Sequence, residues 1–144
     1  MLRFVISLCG ALLAAAPSAA ESPTPTGVWL HPNKRIQVEI APCGAQFCGK
    51  MIWFRLPNDA QGRPLVDFKN ANPALRGRPL LGLAIVHGFR RTGDRTWGDG
   101  RIYNPDDGAE YNSVITMPPD GTLRVRAYVL MPLLGQALVW TRVR

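Results

Sequence analysis

The chain is poor in the residues on which catalysis most often rests. It has two histidines, His31 and His87, and beyond residue 20 only two serines, Ser22 and Ser113. Neither serine sits in a Gly-x-Ser-x-Gly setting, and no glycine-rich loop opens a helix to cradle a phosphate. The three cysteines and two isolated histidines lack the local spacing of a four-ligand zinc site. Beyond the first twenty residues there is no long apolar run, which excludes a polytopic membrane protein. Charged residues make up only 19%, and no cationic run exceeds Arg90-Arg91 or Lys34-Arg35. With 14 Gly and 13 Pro in 144 residues, a long-helix bundle is excluded as well; short segments joined by turns are favoured. Nothing here specifically supports an enzyme, and no cofactor or metal is implied.

What is present begins with an export signal over 1–20. Arg3 supplies a positive start, residues 4–16 an apolar stretch, and Pro17-Ser18-Ala19-Ala20 the small residues before a cleavage point after Ala20. The apolar stretch falls short of the roughly 20 residues that span a bilayer. The expected location is therefore periplasmic or secreted, with residues 21–144 forming one domain. That segment holds sixteen basic and ten acidic residues. A basic exported surface suits anionic envelope partners better than nucleic acid. In an oxidising compartment Cys43 and Cys48 pair as one disulfide.

Alternation of apolar and polar residues predicts eight strands, over 27–31, 35–41, 49–55, 83–91, 95–103, 110–117, 122–130 and 137–143. Asp107-Gly108 and Asp120-Gly121 suit type I′ turns. The long connection 56–82 contains one short helical turn, with Asn72 as its cap, Pro73 first and Gly77 as its stop. Eight short strands joined mainly by hairpins suggest an up-and-down antiparallel barrel or a sandwich.

Several groups of residues, taken in order, resemble the bacterial exported family called domain of unknown function 2147. They are Gly27-Val28-Trp29, Cys43-Gly44 with Cys48-Gly49-Lys50, Asn72-Pro73, Arg78-Pro79-Leu80-Leu81-Gly82, Gly100 to Pro105, and Trp140-Thr141-Arg142. Ala127 and Leu130 depart from the pattern. The resemblance implies an all-β, eight-stranded, lipocalin-like barrel with unassigned biochemistry. Gly27 and Trp29 also resemble the lipocalin first-strand Gly-x-Trp, which implies that Arg142, with Trp140 nearby, closes one end over the Trp29 indole.

Such a barrel implies a small hydrophobic ligand, a fatty acid or lipid fragment, in or at its mouth. The candidate ligand contacts are Ile85, His87 and Phe89, on one face of the fourth strand, with Trp53, Tyr103 and Tyr111. The alternative is a barrel packed solid, binding an envelope protein or glycan through its basic surface and long loop. The apolar connectors Pro79-Leu80-Leu81 and Met131 to Leu134 are expected to cover an opening or to meet a membrane or partner. Asp99 is expected to pair with Arg101 or Arg126.

Overall fold

A computed structural model describes residues 10–17 and 22–144. The proposed leader falls largely outside the described residues; within it, residues 10–17 have no secondary structure. The strands are β1 (Gly27–Leu30), β2 (Ile36–Cys43), β3 (Gln46–Phe54), β4 (Ala84–Gly93), β5 (Thr96–Asn104), β6 (Ala109–Thr116), β7 (Leu123–Tyr128) and β8 (Gln136–Arg142). Every neighbour is antiparallel and sequential, and β8 returns to β1, so the sheet closes into a barrel. Strict up-and-down order puts the β1–β2, β3–β4, β5–β6 and β7–β8 connections at one end. The chain termini of the barrel and the other three hairpins lie at the opposite end. The β1–β8 seam holds only two paired positions, Trp29 with Arg142 and Leu30 with Thr141.

The expected helical turn is a 3-10 turn over Pro73–Leu75, with the Asn72 side chain accepting from the Ala74 amide. A second 3-10 turn, Pro132–Leu134, lies in the β7–β8 connection and has no counterpart in the sequence reading. The type I′ expectation fails at both Asp-Gly sites. Gly108 and Gly121 have positive φ but Asp107 and Asp120 do not. These connections are longer than two residues, so only the glycine adopts the left-handed conformation. The two-residue turns are Gly44-Ala45, where Cys43 pairs with Gln46 and Gly44 carries the positive φ, and Asp94-Arg95, where Gly93 pairs with Thr96 and Arg95 carries it. The Cys43–Cys48 disulfide staples this hairpin, with Cα atoms 5.8 Å apart.

Bulges decide which side chains face inward. Along β4, register with β3 passes from Lys50–Ala84 to Gly49–Val86 and then to Phe47–Phe89, so β4 carries extra residues. The first places both Ile85 and Val86 in the buried interior. The second, at Gly88 with its positive φ, restores Phe89 to the interior. Between the two, His87 pairs with the exposed Arg101 on the outer face.

Candidate functional site

The two ends of the barrel are built differently. The end holding the termini is filled. Trp29, Trp97 and Phe89 are fully buried there, with Met117 and Leu123 beside them. The Phe89 ring occupies the space a side chain at Gly100 would need. Arg142 lies 4.3 Å from the Trp29 ring centroid and donates to the Thr26 carbonyl at 3.1 Å. The Trp29 indole N–H donates to the Pro25 carbonyl at 2.9 Å. Arg91 stacks near Trp97 at 5.7 Å and reaches the Pro23 carbonyl. Two arginine–tryptophan pairs thus hold the segment before β1 across this end. Gly27 has no room for a side chain: a Cβ would stand 2.5 Å from Arg142 Nη1, and its φ is +148°.

The other half of the barrel is hollow. A cavity of about 1000 Å³ opens between the four connections at that end. Its deeper wall is apolar, with Val38, Met51, Ile85, Ile102 and Val125. At the filled end Trp29, Trp97 and Phe89 meet across the interior, whereas Val38, Ile102 and Val125 leave open space at this depth. Polar groups gather nearer the mouth: His31, Arg35, Tyr103, Tyr111, Tyr128 and Gln136. His31 stands 6.0 Å from the Trp140 ring, and its Nδ1 accepts the Asn33 amide. Burial lowers its pKa, against the Asn33 side chain and the Asp106 charge, which favours the neutral ring. The Trp140 indole N–H is buried without an acceptor.

Of the sequence candidates, Ile85, Tyr103 and Tyr111 line this cavity, and so does Trp140. His87, Phe89 and Trp53 do not. The bulge at Ile85 and Val86 turns His87 outward, and Phe89, returned inward by the bulge at Gly88, belongs to the filled end. Trp53 pairs with Gln37 across β2 and is 40% exposed, whereas its neighbour Phe54 lines the cavity. Asp99 pairs with Arg90 at 2.9 Å rather than with Arg101 or Arg126.

Sequence reasoning missed the anchor of the long loop. Asp67 is 1% exposed. It accepts from Tyr103 Oη at 2.6 Å, Arg78 Nε at 2.8 Å and Asn70 Nδ2 at 2.9 Å. Burial pushes the Asp67 carboxyl upward, but these donors outweigh it and hold the pKa below the ordinary value. Tyr103 is shifted the other way, by burial and by the bond to Asp67. Lys69 adds a bond to the Asp106 carbonyl at 2.7 Å, so the loop is tied to the β5–β6 turn. The partners lie 3, 11 and 36 residues from Asp67, and no local pattern joins them. On the facing side, Arg126 donates to the Gly135 carbonyl at 3.0 Å and supports the β7–β8 connection.

The solved structure of protein HP1028 from Helicobacter pylori, described as belonging to the lipocalin family, superposes with a TM-score of 0.70. The match covers 88% of this chain and 85% of that one at 23% identity, a likeness of fold. No curated protein matches the chain. The family model for DUF2147, described as an uncharacterized protein conserved in bacteria, matches residues 27–142, and the chain belongs to that family.

Proposed function

We propose that the protein is an exported carrier that holds a small, mainly apolar molecule, such as a fatty acid or lipid fragment, inside the barrel. The observation that carries this reading is the cavity: about 1000 Å³, closed below by aromatic side chains and walled mainly by apolar ones. Pockets for small molecules have this size and this mixture of apolar wall and few polar groups. A barrel packed solid, the premise of the alternative reading, is not what the structure holds. Arg35 and the neutral His31 at the mouth suit an acidic or carbonyl head, and the wall below suits its hydrocarbon tail. The family's match and the lipocalin-like fold support small-molecule binding in general terms. The export signal and the disulfide support a location outside the cytoplasm.

The test is a chain-length series of saturated fatty acids, read by displacement of a fluorescent fatty acid. Burying each CH₂ is worth about 0.8 kcal/mol, so each two-carbon extension tightens binding roughly tenfold until the cavity is full. Native mass spectrometry of detergent-free protein adds an independent reading, since a copurified ligand appears as mass lost on denaturation. Affinity that does not change with chain length would remove the lipid reading.

A further inference from the structure

The open end of the barrel carries an apolar surface that the cavity alone does not explain. Ten large apolar side chains in its connections are well exposed, five in the β3–β4 loop and five in the β7–β8 connection. Leu133 is 88% exposed, Leu130 83% and Phe68 66%. Within residues 22–144 the only comparable residue at the opposite end is Val143, just past β8. Such clustering on one face marks an interaction site, because scattered exposed apolar residues would be shared between the two ends.

The same connections are cationic. They contain seven basic residues against four acidic ones. Two of the basic residues are used internally, Arg63 on Asp59 and Arg78 on Asp67. Lys34, Arg35, Arg55, Lys69 and Arg76 form no ion pair among the described residues. Lys69 lies 5.6 Å from the ring of the exposed Phe68, so a cation and an apolar group are presented together.

From these observations we infer that the open end docks onto the surface of an anionic lipid bilayer. Apolar side chains that enter the interface while Lys and Arg stay at headgroup level are the two components of interfacial binding. A cationic rim complements a negatively charged surface, and an apolar tip between the cations has no use for an acidic protein face. The exposed side chains are also continuous with the cavity wall, since Leu56, Val129, Leu130 and Leu134 belong to both. Docking would therefore let an apolar molecule pass between bilayer and cavity without crossing water. The seam assists, because β8 has no β1 partner from Gln136 to Trp140, and Gln136, Leu138 and Trp140 line the cavity there. The docking surface stands on the rim residues themselves; only the transfer step rests on the lipid-carrier reading.

The experiment is flotation of the purified, disulfide-bonded protein with phosphatidylglycerol–phosphatidylcholine vesicles and with pure phosphatidylcholine vesicles. The protein is expected to float with the anionic vesicles, and to do so several-fold less well at high salt. Phe68→Ser with Leu133→Ser, neither in the cavity wall, is expected to weaken partitioning at least about tenfold. Lys34→Gln with Arg55→Gln removes two cations worth about fivefold each near an anionic surface. Val143→Ser is the control and should float like the parent. Absence of binding to anionic vesicles, or equal flotation by the Phe68/Leu133 variant, would overturn the proposal; a dimer or a protein complex formed instead would overturn it equally. Displacement of fluorescent fatty acid without vesicles separates the two readings. A rim variant that keeps fatty acid but loses vesicles supports docking, and a parent that docks without taking fatty acid sinks only the carrier.

Discussion

Replacing Asp67 with Asn tests whether one buried carboxylate fastens the long loop to the barrel. The parent side chain has no exposed surface and accepts three hydrogen bonds, from Tyr103, Arg78 and Asn70. Hydrogen bonds to a charged group are worth about 1.5–3 kcal/mol each, and breaking a buried ion pair costs about 3–5 kcal/mol. These figures do not add, because the carboxylate's own desolvation is relieved at the same time. Arg78 is 35% exposed and regains water, which lowers the cost further. The expected loss is about 2–4 kcal/mol, or roughly 8–16 °C in melting temperature for a domain of this size. Asn keeps the shape and one acceptor but faces two of the three donors with its own amide hydrogens.

The assay is urea denaturation together with hydrogen exchange, because the network is local. Amides of Leu65, Asp67 and Leu80 are bonded within the loop, to Pro57, Arg78 and Leu65 respectively, and should lose protection before the strands do. Adding Tyr103→Phe to Asp67→Asn should cost less than the two single effects combined, since both remove the same bond. The pH dependence has a definite sign. The native carboxyl lies below its ordinary value near 3.8, so its stabilisation is complete above that value and is lost as pH falls through the lower native pKa. A variant within about 0.5 kcal/mol of the parent, with loop amides equally protected, would refute the reasoning, since that is the ordinary scatter of surface substitutions.

Gly27→Ala should lose about 2–4 kcal/mol in the same denaturation assay, from backbone strain at φ +148° and displacement of Arg142 from Trp29; an unchanged midpoint would show that Arg142 does not close that end. Removing the Cys43–Cys48 bridge as a double alanine variant should cost about 2 kcal/mol, because the loop it closes is short, and the parent's non-reduced mass should lie two hydrogens below its reduced mass. His31 has a native pKa below its ordinary 6.5, so its contribution is complete above that value and declines as pH falls towards the native pKa. His31→Gln should flatten the pH profile of stability across that interval.

The barrel was legible because its strands alternate strictly where they matter: Val38 and Ile40 in β2, and Val125 between Arg124 and Arg126 in β7, read as inner and outer faces from the sequence alone. The faces became illegible where bulges intervene. His87 lies two residues from both Ile85 and Phe89, so a regular strand would place all three inside; the shifts around Gly88 cannot be read from those residues. Trp53 and Phe54 differ only in register, which the partner strand sets. The Arg142–Trp29 contact follows from a sequence motif, but its companion Arg91–Trp97 has no comparable signal because it depends on the hairpin between β4 and β5. Asp67 was invisible for the same reason at longer range: a lone aspartate between Val66 and Phe68 resembles a solvated loop residue until Tyr103 is brought to it.

The hollow half of the barrel rests on small side chains, and Ala127 gives the sharpest test of it. Ala127 lines the cavity and pairs with Ser113 and Gln136 across β6 and β8. In a closely packed interior, Ala127→Phe would force neighbours off their rotamers and cost about 1–3 kcal/mol. Where the ring enters open space, no neighbour has to move, and the added apolar area is removed from water at about 25 cal/mol per Å². The expected result is therefore a variant as stable as the parent or up to about 2 kcal/mol more stable. Its fatty-acid binding should be weaker, with the loss largest for the longest chains because they need the volume the ring now fills. Destabilisation with unchanged chain-length dependence would mean that the wall at Ala127 is already packed and that any ligand lies elsewhere. Stability and binding moving in opposite directions is the signature of a cavity kept open for an occupant, since a merely imperfect core gains from filling and loses nothing.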